Sequence, residues 1–314
     1  MKTLIFGAGP MGSLYAHLMC QAGKDVTILA RGKRYEFIKT KGLELVNEIT
    51  GGRGASKLRV VNELKEDDEY DLVVVLIRKN KLLPVFEVLR TNANIKNVLF
   101  MGNNTLGFVD YVRYLPKEKL LFGFPGAGGG ISEQVVHYAD REKPKDKRRP
   151  VTIGEIDGKT KRRTQEIKAL FQMSGIPVNL VGDIDGWLKY HVALISPLCN
   201  ALYKHNCDNY SLAKDKKTIK VMVQAVKEGG RVLKALGYTK RYPFKFNLFY
   251  WLPEMLNVKA VEGLLESKFA EVAFSLHAMA AQDEMRELSV EFQTLINKTS
   301  VETPNIVTLR NFIP

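Results

Sequence analysis

Short apolar runs alternate with amphipathic helical segments along the chain up to about residue 183. Runs such as "LVVVLI" are apolar at every position, which is typical of parallel strands that are buried on both faces of a sheet. The runs that predict strands are 3–8, 25–30, 71–77, 97–102 and 120–126. This alternation predicts an α/β fold, a Rossmann-like doubly wound sheet.

The end of this region contains two further apolar runs and a helix. The runs 133–139 and 149–156 predict an antiparallel extension of the sheet, with the basic, proline-containing stretch 141–149 as an exposed loop between them. The segment "TQEIKALFQMSG" then predicts an amphipathic helix, and "IPVNLVG" predicts a last strand.

The pattern changes after "GDIDG" and is almost entirely helical to the end of the chain. We therefore predict two domains, a nucleotide-binding Rossmann domain over 1–183 and an all-helical domain over 184–314 for substrate binding and dimerisation. The aromatic segment 242–256 predicts an irregular linker, packed either on the helical core or against a second subunit. A homodimer is the expected assembly.

The first strand leads directly into the turn "GAGPMG". In a dinucleotide-binding turn, Gly7 permits the tight bend, Gly9 lets the backbone approach a pyrophosphate, and Gly12 allows the helix to pack on the strand. Pro10 and Met11 begin that helix, whose N-terminal amides would face the phosphates. Because strand and helix flank the glycines, the motif has the context it requires, and a tight turn without a ligand is the alternative.

The second strand ends in Ala-Arg-Gly-Lys-Arg, at positions 30–34. An acidic residue that binds the ribose 2′-hydroxyl of NADH normally stands here, and this chain has none. Arg31 can instead grip a 2′-phosphate with its planar guanidinium. The expected cofactor is therefore NADPH, and a solvated basic turn is the alternative.

The totals of the sequence exclude several classes of protein. The 314 residues are 45% hydrophobic and 26% charged, which is ordinary for a globular protein, and no run reaches the ~20 apolar residues of a membrane span. The three cysteines and five histidines have no metal-ligand spacing, so we expect no metal and a reducing, cytoplasmic location. Much of the net charge of +13 lies in the segments 141–149 and 159–168, which have no interleaved aromatic residues, and this argues against nucleic acid as a partner.

The N-terminal stretch "IFGAGPMGSLYAHLMCQAGKDVTILARGKRYEFIKTKGLEL" resembles, almost position by position, the start of the ketopantoate reductases. These are NADPH-dependent 2-dehydropantoate 2-reductases, oxidoreductases of pantothenate biosynthesis that pair a Rossmann domain with a helical C-terminal domain. The resemblance implies a reductase of a small 2-oxo acid.

The family's functional residues carry over in part. The family's Asn after the fifth strand, which serves cofactor and substrate, matches Asn103 in "FMGNNTLG", and its Lys after the fourth strand matches Arg78. The catalytic Lys matches Lys189 in "WLKYH", and the late acidic residue matches Glu284 in "QDEMREL". The resemblance makes Lys189 the proton donor and Glu284 its orienting group or a ligand for a substrate hydroxyl, while Arg78 would serve the cofactor or the substrate carboxylate. A surface lysine and a solvated glutamate remain alternatives.

The expected substrate pocket departs from the family pattern. Family members carry Asn residues one and two helical turns after the Lys, where this chain has Ala193 and the pair Ser196-Pro197. The family's Ser-rich motif is also missing, which leaves Ser275 and His277 as the nearby polar groups. Since recognition of a hydroxyl depends on paired polar groups, we expect ketopantoate to be a poor substrate, with Ser196 and Ser275 as the remaining substrate ligands. An NADP(H)-binding sensor or regulator with a decayed substrate site is the alternative function.

Overall fold

The computed structural model of the protein describes residues 1–140 and 148–314. The chain divides into two compact units. The first consists of Met1–Gly102 and Phe108–Ile184, and the second of Asn103–Gly107 and Asp185–Pro314. The loop 103–107 therefore belongs to the second unit, although the segments on both sides of it in the sequence belong to the first.

The first unit alternates strands and helices. Its strands are β1 (Thr3–Phe6), β2 (Val26–Leu29), β3 (Leu43–Asn47), β4 (Arg53–Ser56), β5 (Arg59–Val61), β6 (Leu72–Val75), β7 (Val98–Met101), β8 (Leu120–Phe124), β9 (Gly128–Ser132), β10 (Val135–Ala139), β11 (Val151–Glu155) and β12 (Val178–Leu180). Its helices are α1 (Pro10–Gln21), α2 (Gly32–Lys41), α3 (Leu83–Thr91), α4 (Val109–Tyr114) and α5 (Arg162–Met173).

Eight strands form the main sheet, in the order β12-β11-β8-β7-β6-β1-β2-β5. The ladder is parallel from β8 to β5, and β11 pairs antiparallel with β8. Every residue of β1, β2, β6 and β7 is buried, as the continuous apolar runs predict for a sheet covered on both faces. The predicted doubly wound fold is confirmed.

A second, four-stranded sheet has the order β4-β3-β10-β9 and was absent from the predicted elements. The predicted pairing of 133–139 with 149–156 is wrong, because β10 pairs with β3 and β9, whereas β11 belongs to the main sheet. The hairpin between β9 and β10 turns at Glu133 and Gln134, both with positive φ (49° and 66°). Such turns usually carry Asn-Gly or Asp-Gly, so the sequence lacked the usual hairpin signal.

Helix α1 contributes to the core that the two sheets of this unit share. Leu14, Tyr15 and Met19 are buried in one apolar cluster with Ile5 of the main sheet and Val136 of the second. These buried contacts fix the position of α1 and, with it, the position of the turn from which the helix starts.

The second unit is helical, as the sequence predicts. Its helices are α6 (Ile184–Lys204), α7 (Asn209–Lys214), α8 (Lys216–Ala235), α9 (Leu248–Trp251), α10 (Glu254–Leu265), α11 (Lys268–Ala270), α12 (Leu276–Ala280), α13 (Gln282–Ile296) and α14 (Pro304–Arg310). A five-residue π-helical stretch, Glu271–Ser275, joins α11 to α12. Helices α6, α8 and α13 supply most of the buried core, so the residues on their inner faces are held rigidly.

The aromatic segment 242–256 is more regular than predicted, since it contains a 3₁₀ turn, Phe244–Asn247, then α9 and the start of α10. Phe246 is buried in the helical core, whereas Phe244 and Trp251 are exposed.

The homodimer stays a prediction. Within 1–140 and 148–314, no helix has both the length and the apolar character needed to cross a membrane. Most of the predicted basic loop 141–149 lies outside the described residues.

Candidate functional site

The glycine turn between β1 and α1 has the geometry that its sequence predicts. Gly7 has φ +118°, a conformation that side chains rarely adopt, and a Cβ there would lie 2.8 Å from the Leu76 carbonyl oxygen. A Cβ on Gly12 would lie only 1.9 Å from the Gly7 carbonyl oxygen. Both positions therefore exclude any larger residue, and the turn depends on backbone contacts that no side chain can relieve.

Gly9 differs from the other two glycines because a Cβ placed on it meets no atom within 4 Å. It is the N-cap of α1, whose first turn carries no acidic residue. The first intrahelical bond of α1 runs from the Ser13 amide to the Gly9 carbonyl, so the amides of Met11 and Gly12 precede it. Open space beside Gly9 and donors at a helix N-terminus fit a bound pyrophosphate.

The basic residues after β2 occupy two different environments. Arg31 is exposed and is the N-cap of α2. Arg34 is half-buried and donates hydrogen bonds to the Ala8 carbonyl (3.2 Å), the Ser13 hydroxyl (3.0 Å) and the Gln134 carbonyl. Burial lowers the pKa of Arg34. Arg34 therefore braces the glycine turn, and Arg31 keeps an accessible guanidinium.

Arg78 follows the main-sheet strand β6 and directly precedes a 3₁₀ turn, Lys79–Lys81. Its side chain is exposed. The backbone of Leu76, two residues earlier, is the part of the chain against which Gly7 packs. The predicted role of Arg78 in binding the cofactor or the substrate carboxylate stays a prediction.

In the second unit, Lys189 is buried on α6, with only 4% of its surface exposed. Its ammonium forms an ion pair with Asp185, one helical turn earlier. The second carboxylate oxygen of Asp185 accepts a hydrogen bond from the Tyr238 hydroxyl (2.7 Å), and the Lys189 Nζ lies 5.1 Å from the centre of the Tyr238 ring. Lys189 is therefore not a surface lysine.

Glu284 is also buried, with 3% of its surface exposed, at the start of α13. Its Oε1 lies 3.4 Å from the side-chain Nδ2 of Asn103. Asn103 Oδ1 and Thr105 Oγ1 are buried and have no hydrogen-bond partner within the described chain. Unsatisfied polar atoms in a buried position point to a missing ligand or water. Glu284 is thus not a solvated charge.

The loop 103–107 links these two groups of residues. Its first residue contacts Glu284, and a Cβ on its last residue, Gly107, would lie 3.6 Å from Lys189 Nζ and 3.3 Å from Asp185 Oδ1. Asn104 donates a hydrogen bond to the Gly107 carbonyl (2.8 Å), which holds the loop closed. The structure therefore arranges the predicted Asn, Lys and Glu around one five-residue loop.

Ala193 and Ser196 follow Lys189 on α6 and stand where the family pattern has asparagine residues. Ala193 is buried, and a Cβ on Gly229 of α8 would lie 3.0 Å from its side chain. Gly229 of α8 therefore packs closely against Ala193, which also helps to line a small cavity. Ser196 lies on the same face of α6 as Lys189 and lines a cavity of about 10 Å³ that is also lined by Asn200, and this volume suits one water molecule.

Ser275 lies elsewhere in the helical unit. Its hydroxyl donates a hydrogen bond to Asn209 Oδ1 (3.1 Å), and the Asn209 amide donates to the Leu265 carbonyl (2.7 Å). These contacts give Ser275 a role in packing. Its predicted role as a substrate ligand stays a prediction.

The histidine beside Lys189 is not placed for acid catalysis. His191 is stacked on Trp187 at 5.4 Å, and burial together with the neighbouring His277 lowers its pKa to about 3. The imidazole is therefore neutral at physiological pH.

Over residues 1–140 and 148–314, no group of three His, Cys, Asp or Glu side chains could hold a metal ion.

Sequence reasoning missed Asp185, Thr105, Asn200 and Tyr238. Asp185 could have been found, because an acidic residue four positions before a lysine on a helix is the spacing of an ion pair. Tyr238 follows α8 and meets Asp185 only through the tertiary fold, so no local signal marks it. Asn200 and Thr105 are ordinary polar residues in the sequence, and only their buried, unpartnered oxygens make them notable.

Comparison with known proteins finds ketopantoate reductases that are similar to this chain. The family model described as ketopantoate reductase PanE/ApbA matches residues 3–145. The 2-dehydropantoate 2-reductase of Pyrococcus horikoshii is 22% identical over 246 residues, which are 74% of this chain and 73% of that protein.

Two solved structures share the fold of the whole chain. The 2-dehydropantoate 2-reductase of Geobacter metallireducens matches with a TM-score of 0.77 at 17% identity, over 100% of this chain and 99% of that one. A D-mandelate dehydrogenase solved with NADH and anilino(oxo)acetate matches with a TM-score of 0.77 at 18% identity, over 100% and 97% of the two chains. The first 45% of the chain thus matches the ketopantoate reductase family model, and the whole chain shares the fold of ketopantoate reductases at low sequence identity.

Proposed function

We propose that the protein is an NADPH-dependent reductase of a small 2-oxo acid. The observation that carries this proposal is the buried Lys189 ammonium, which lies beside the same loop whose Asn103 contacts Glu284. A protonated amine and an amide in a site shielded from water are the groups that reduction of a ketone requires, because the carbonyl oxygen gains negative charge in the transition state.

The residues present fit a nicotinamide dinucleotide. Gly9 leaves room for the pyrophosphate, the α1 amides of Met11 and Gly12 would donate to it, and Arg31 would bind the 2′-phosphate. When bound, the reduced cofactor supplies the hydride for the carbonyl carbon. The D-mandelate dehydrogenase of similar fold was solved with NADH, so the preference for NADPH rests on Arg31 and the absence of an acidic residue after β2.

The side chains of this protein would complete the reaction. As the carbonyl oxygen gains an electron pair, one N–H bond of Lys189 breaks and an O–H bond forms, which leaves a neutral amine and a 2-hydroxy acid. Asn103 would donate its amide N–H groups or accept through its unpartnered Oδ1, and Glu284 would hold that amide in place. Arg78 carries the charge that would bind the substrate carboxylate.

The substrate is expected to be less polar than ketopantoate. Ala193 is buried, and its methyl group offers no hydrogen bond to a substrate. Losing a hydrogen bond to a hydroxyl costs about 0.5–1.5 kcal/mol, and an unpaired buried group costs more. One neighbour in fold is a D-mandelate dehydrogenase, which is consistent with a 2-oxo acid that has an apolar substituent.

A substrate panel tests this proposal. Steady-state oxidation of NADPH would be followed by absorbance with ketopantoate and with 2-oxo acids that carry aliphatic or aromatic substituents. We expect at least one apolar 2-oxo acid to exceed ketopantoate in kcat/KM by about tenfold or more, which corresponds to ~1.4 kcal/mol. A ketopantoate kcat/KM at or above ~10⁴ M⁻¹s⁻¹ together with weaker turnover of the others would contradict the substrate choice.

The second candidate function is an NADP(H)-binding sensor or regulator, and the lack of a hydrogen-bonding side chain at Ala193 favours it. The same panel separates the two functions. A sensor would bind NADPH in a direct titration and turn over no 2-oxo acid, whereas the proposed reductase does both.

Removing the Arg31 guanidinium should change cofactor preference. We expect NADPH to bind the wild-type protein at least about tenfold more tightly than NADH, since a charge-assisted phosphate contact contributes roughly 1.5–3 kcal/mol. Arg31→Ala should lose most of this difference and leave NADH affinity nearly unchanged. Titration of both dinucleotides by fluorescence measures it, and Lys33→Ala, an exposed lysine in the same turn, is the matched control. Equal affinities in the wild type would refute the prediction.

A further inference from the structure

The environment of Lys189 contains two side chains that the family pattern does not explain. Asp185 holds the Lys189 ammonium from one turn earlier on α6, and the Tyr238 hydroxyl donates to the other Asp185 oxygen at 2.7 Å. The backbone of Tyr238 is fixed in turn, because its carbonyl accepts a hydrogen bond from the Tyr190 hydroxyl at 2.8 Å. The three side chains therefore form a connected and anchored set.

We propose that Asp185, held in place by Tyr238, is a positioning residue that keeps Lys189 in its ammonium form and directs it toward the loop 103–107. This inference rests on the proposed function. It differs from the expectation drawn from the family resemblance, in which Glu284 orients the lysine.

The electrostatic reason is a competition between burial and charge. Burial of the lysine side chain favours the neutral amine, and a carboxylate in contact favours the ammonium. Asp185 is in direct ion contact with Lys189 Nζ, and Glu284 on α13 contacts Asn103 of the loop. Tyr238 adds its ring at 5.1 Å from Nζ, where the face of an aromatic ring attracts a cation. Gly107, which also lies beside Lys189, has no ionisable group.

Geometry supports the positioning role as well. Gly107 packs against both partners, since a Cβ there would lie 3.3 Å from Asp185 Oδ1 and 3.6 Å from Lys189 Nζ. The absence of a side chain at 107 lets the loop backbone lie close to the ion pair. The ion pair thus fixes the direction of the Lys189 side chain toward the loop.

The test measures the ionisation of Lys189 without using catalysis. The full chain, with no cofactor added, is exposed to a limiting amount of acetic anhydride at a series of pH values, and acetylation of Lys189 is quantified by peptide mass spectrometry. Only the neutral amine reacts, so the pH dependence gives the titration midpoint of this lysine. We expect Asp185→Asn to lower that midpoint by at least about one pH unit, a tenfold change in the neutral fraction.

Further variants separate charge from fold. In Asp185→Glu the Lys189 midpoint should lie close to the wild-type value, because a carboxylate is still present. Tyr238→Phe should lower the midpoint by less than Asp185→Asn does. Glu254→Gln, which removes the carboxylate from the exposed ion pair with Lys220 at 2.8 Å, is the control and should leave the Lys189 midpoint unchanged. Circular dichroism identifies any variant that fails to fold, and Tyr238→Phe then carries the test.

An unchanged Lys189 midpoint in folded Asp185→Asn, or in folded Tyr238→Phe where the first variant does not fold, overturns the inference. The proposed function fails separately, if the wild-type protein binds NADPH and reduces no 2-oxo acid. With an active substrate, the alkaline limb of kcat/KM should move to lower pH in Asp185→Asn by the same shift as the labelling midpoint. A merely structural role of Asp185 would lower activity without moving that limb.

Discussion

Replacement of Lys189 by alanine is expected to lower kcat by about 10²- to 10⁴-fold, the usual contribution of a general acid. The physical reason is that the oxygen of the reduced carbonyl would have to take its proton from water in a site that shields the buried ammonium from solvent. Because this interaction forms as charge develops, kcat and kcat/KM should fall together.

Single-turnover and steady-state kinetics on the best 2-oxo acid of the panel measure this effect. The affinity for NADPH, determined by titration, should stay within a factor of about two, because the turn that would bind it lies in the other unit of the chain. Lys204→Ala is the matched control, since Lys204 lies at the other end of α6 and pairs with Asp215 at 3.2 Å. An undiminished rate in Lys189→Ala would exclude Lys189 as the acid.

Substitution of Gly12 by alanine is expected to reduce dinucleotide affinity by about 100-fold or more and to destabilise the protein by roughly 1–3 kcal/mol, the typical cost of overpacking. The added Cβ would lie 1.9 Å from the Gly7 carbonyl oxygen, so either α1 or the turn must move. A shift of α1 disturbs the amides that would bind the pyrophosphate, and it also disturbs the apolar contacts of α1 with both sheets.

Two companion variants separate stability from binding. Gly9→Ala places its Cβ in open space, so the free energy of unfolding should hardly change while dinucleotide binding is lost. Gly263→Ala, at an exposed position in α10 where a Cβ meets nothing within 4 Å, should be neutral or stabilising by up to ~1 kcal/mol and bind normally. Denaturant unfolding and NADPH titration give both quantities. Normal NADPH affinity in both Gly12→Ala and Gly9→Ala would show that this turn does not hold the cofactor.

The candidate site was partly predictable because its two halves depend on different kinds of signal. Gly7, Gly9 and Gly12 lie within six residues, so strand, turn and helix are visible in a local pattern. Lys189 and Glu284 came from resemblance alone, since a single Lys or Glu on a helix has no pattern that distinguishes a buried acid from a surface charge. Their neighbours include residues far away in the chain: Gly107 and Tyr238 lie beside Lys189, and Asn103 lies beside Glu284.

The second sheet shows the limit of pattern reading for strands. The run of three glycines in β9 does not look like a strand, and the turn at Glu133 and Gln134 lacks the usual turn residues. Pairing of β10 with β3 joins segments about 90 positions apart. Hydrophobic alternation indicates that a segment is a strand, but it contains no information about its partner.

By itself, the sequence determined the doubly wound sheet, the helical C-terminal region and the glycine turn. All three depend on the periodicity of apolar residues and the spacing of glycines over short stretches of the chain. Only the tertiary structure decided that Asn103–Gly107 belongs with the helical unit and that Tyr238 meets Asp185. It also decided that Gly229 of α8 packs closely against Ala193. These features depend on contacts between residues distant in the chain, and such contacts are selected by packing of the whole core rather than by any local preference.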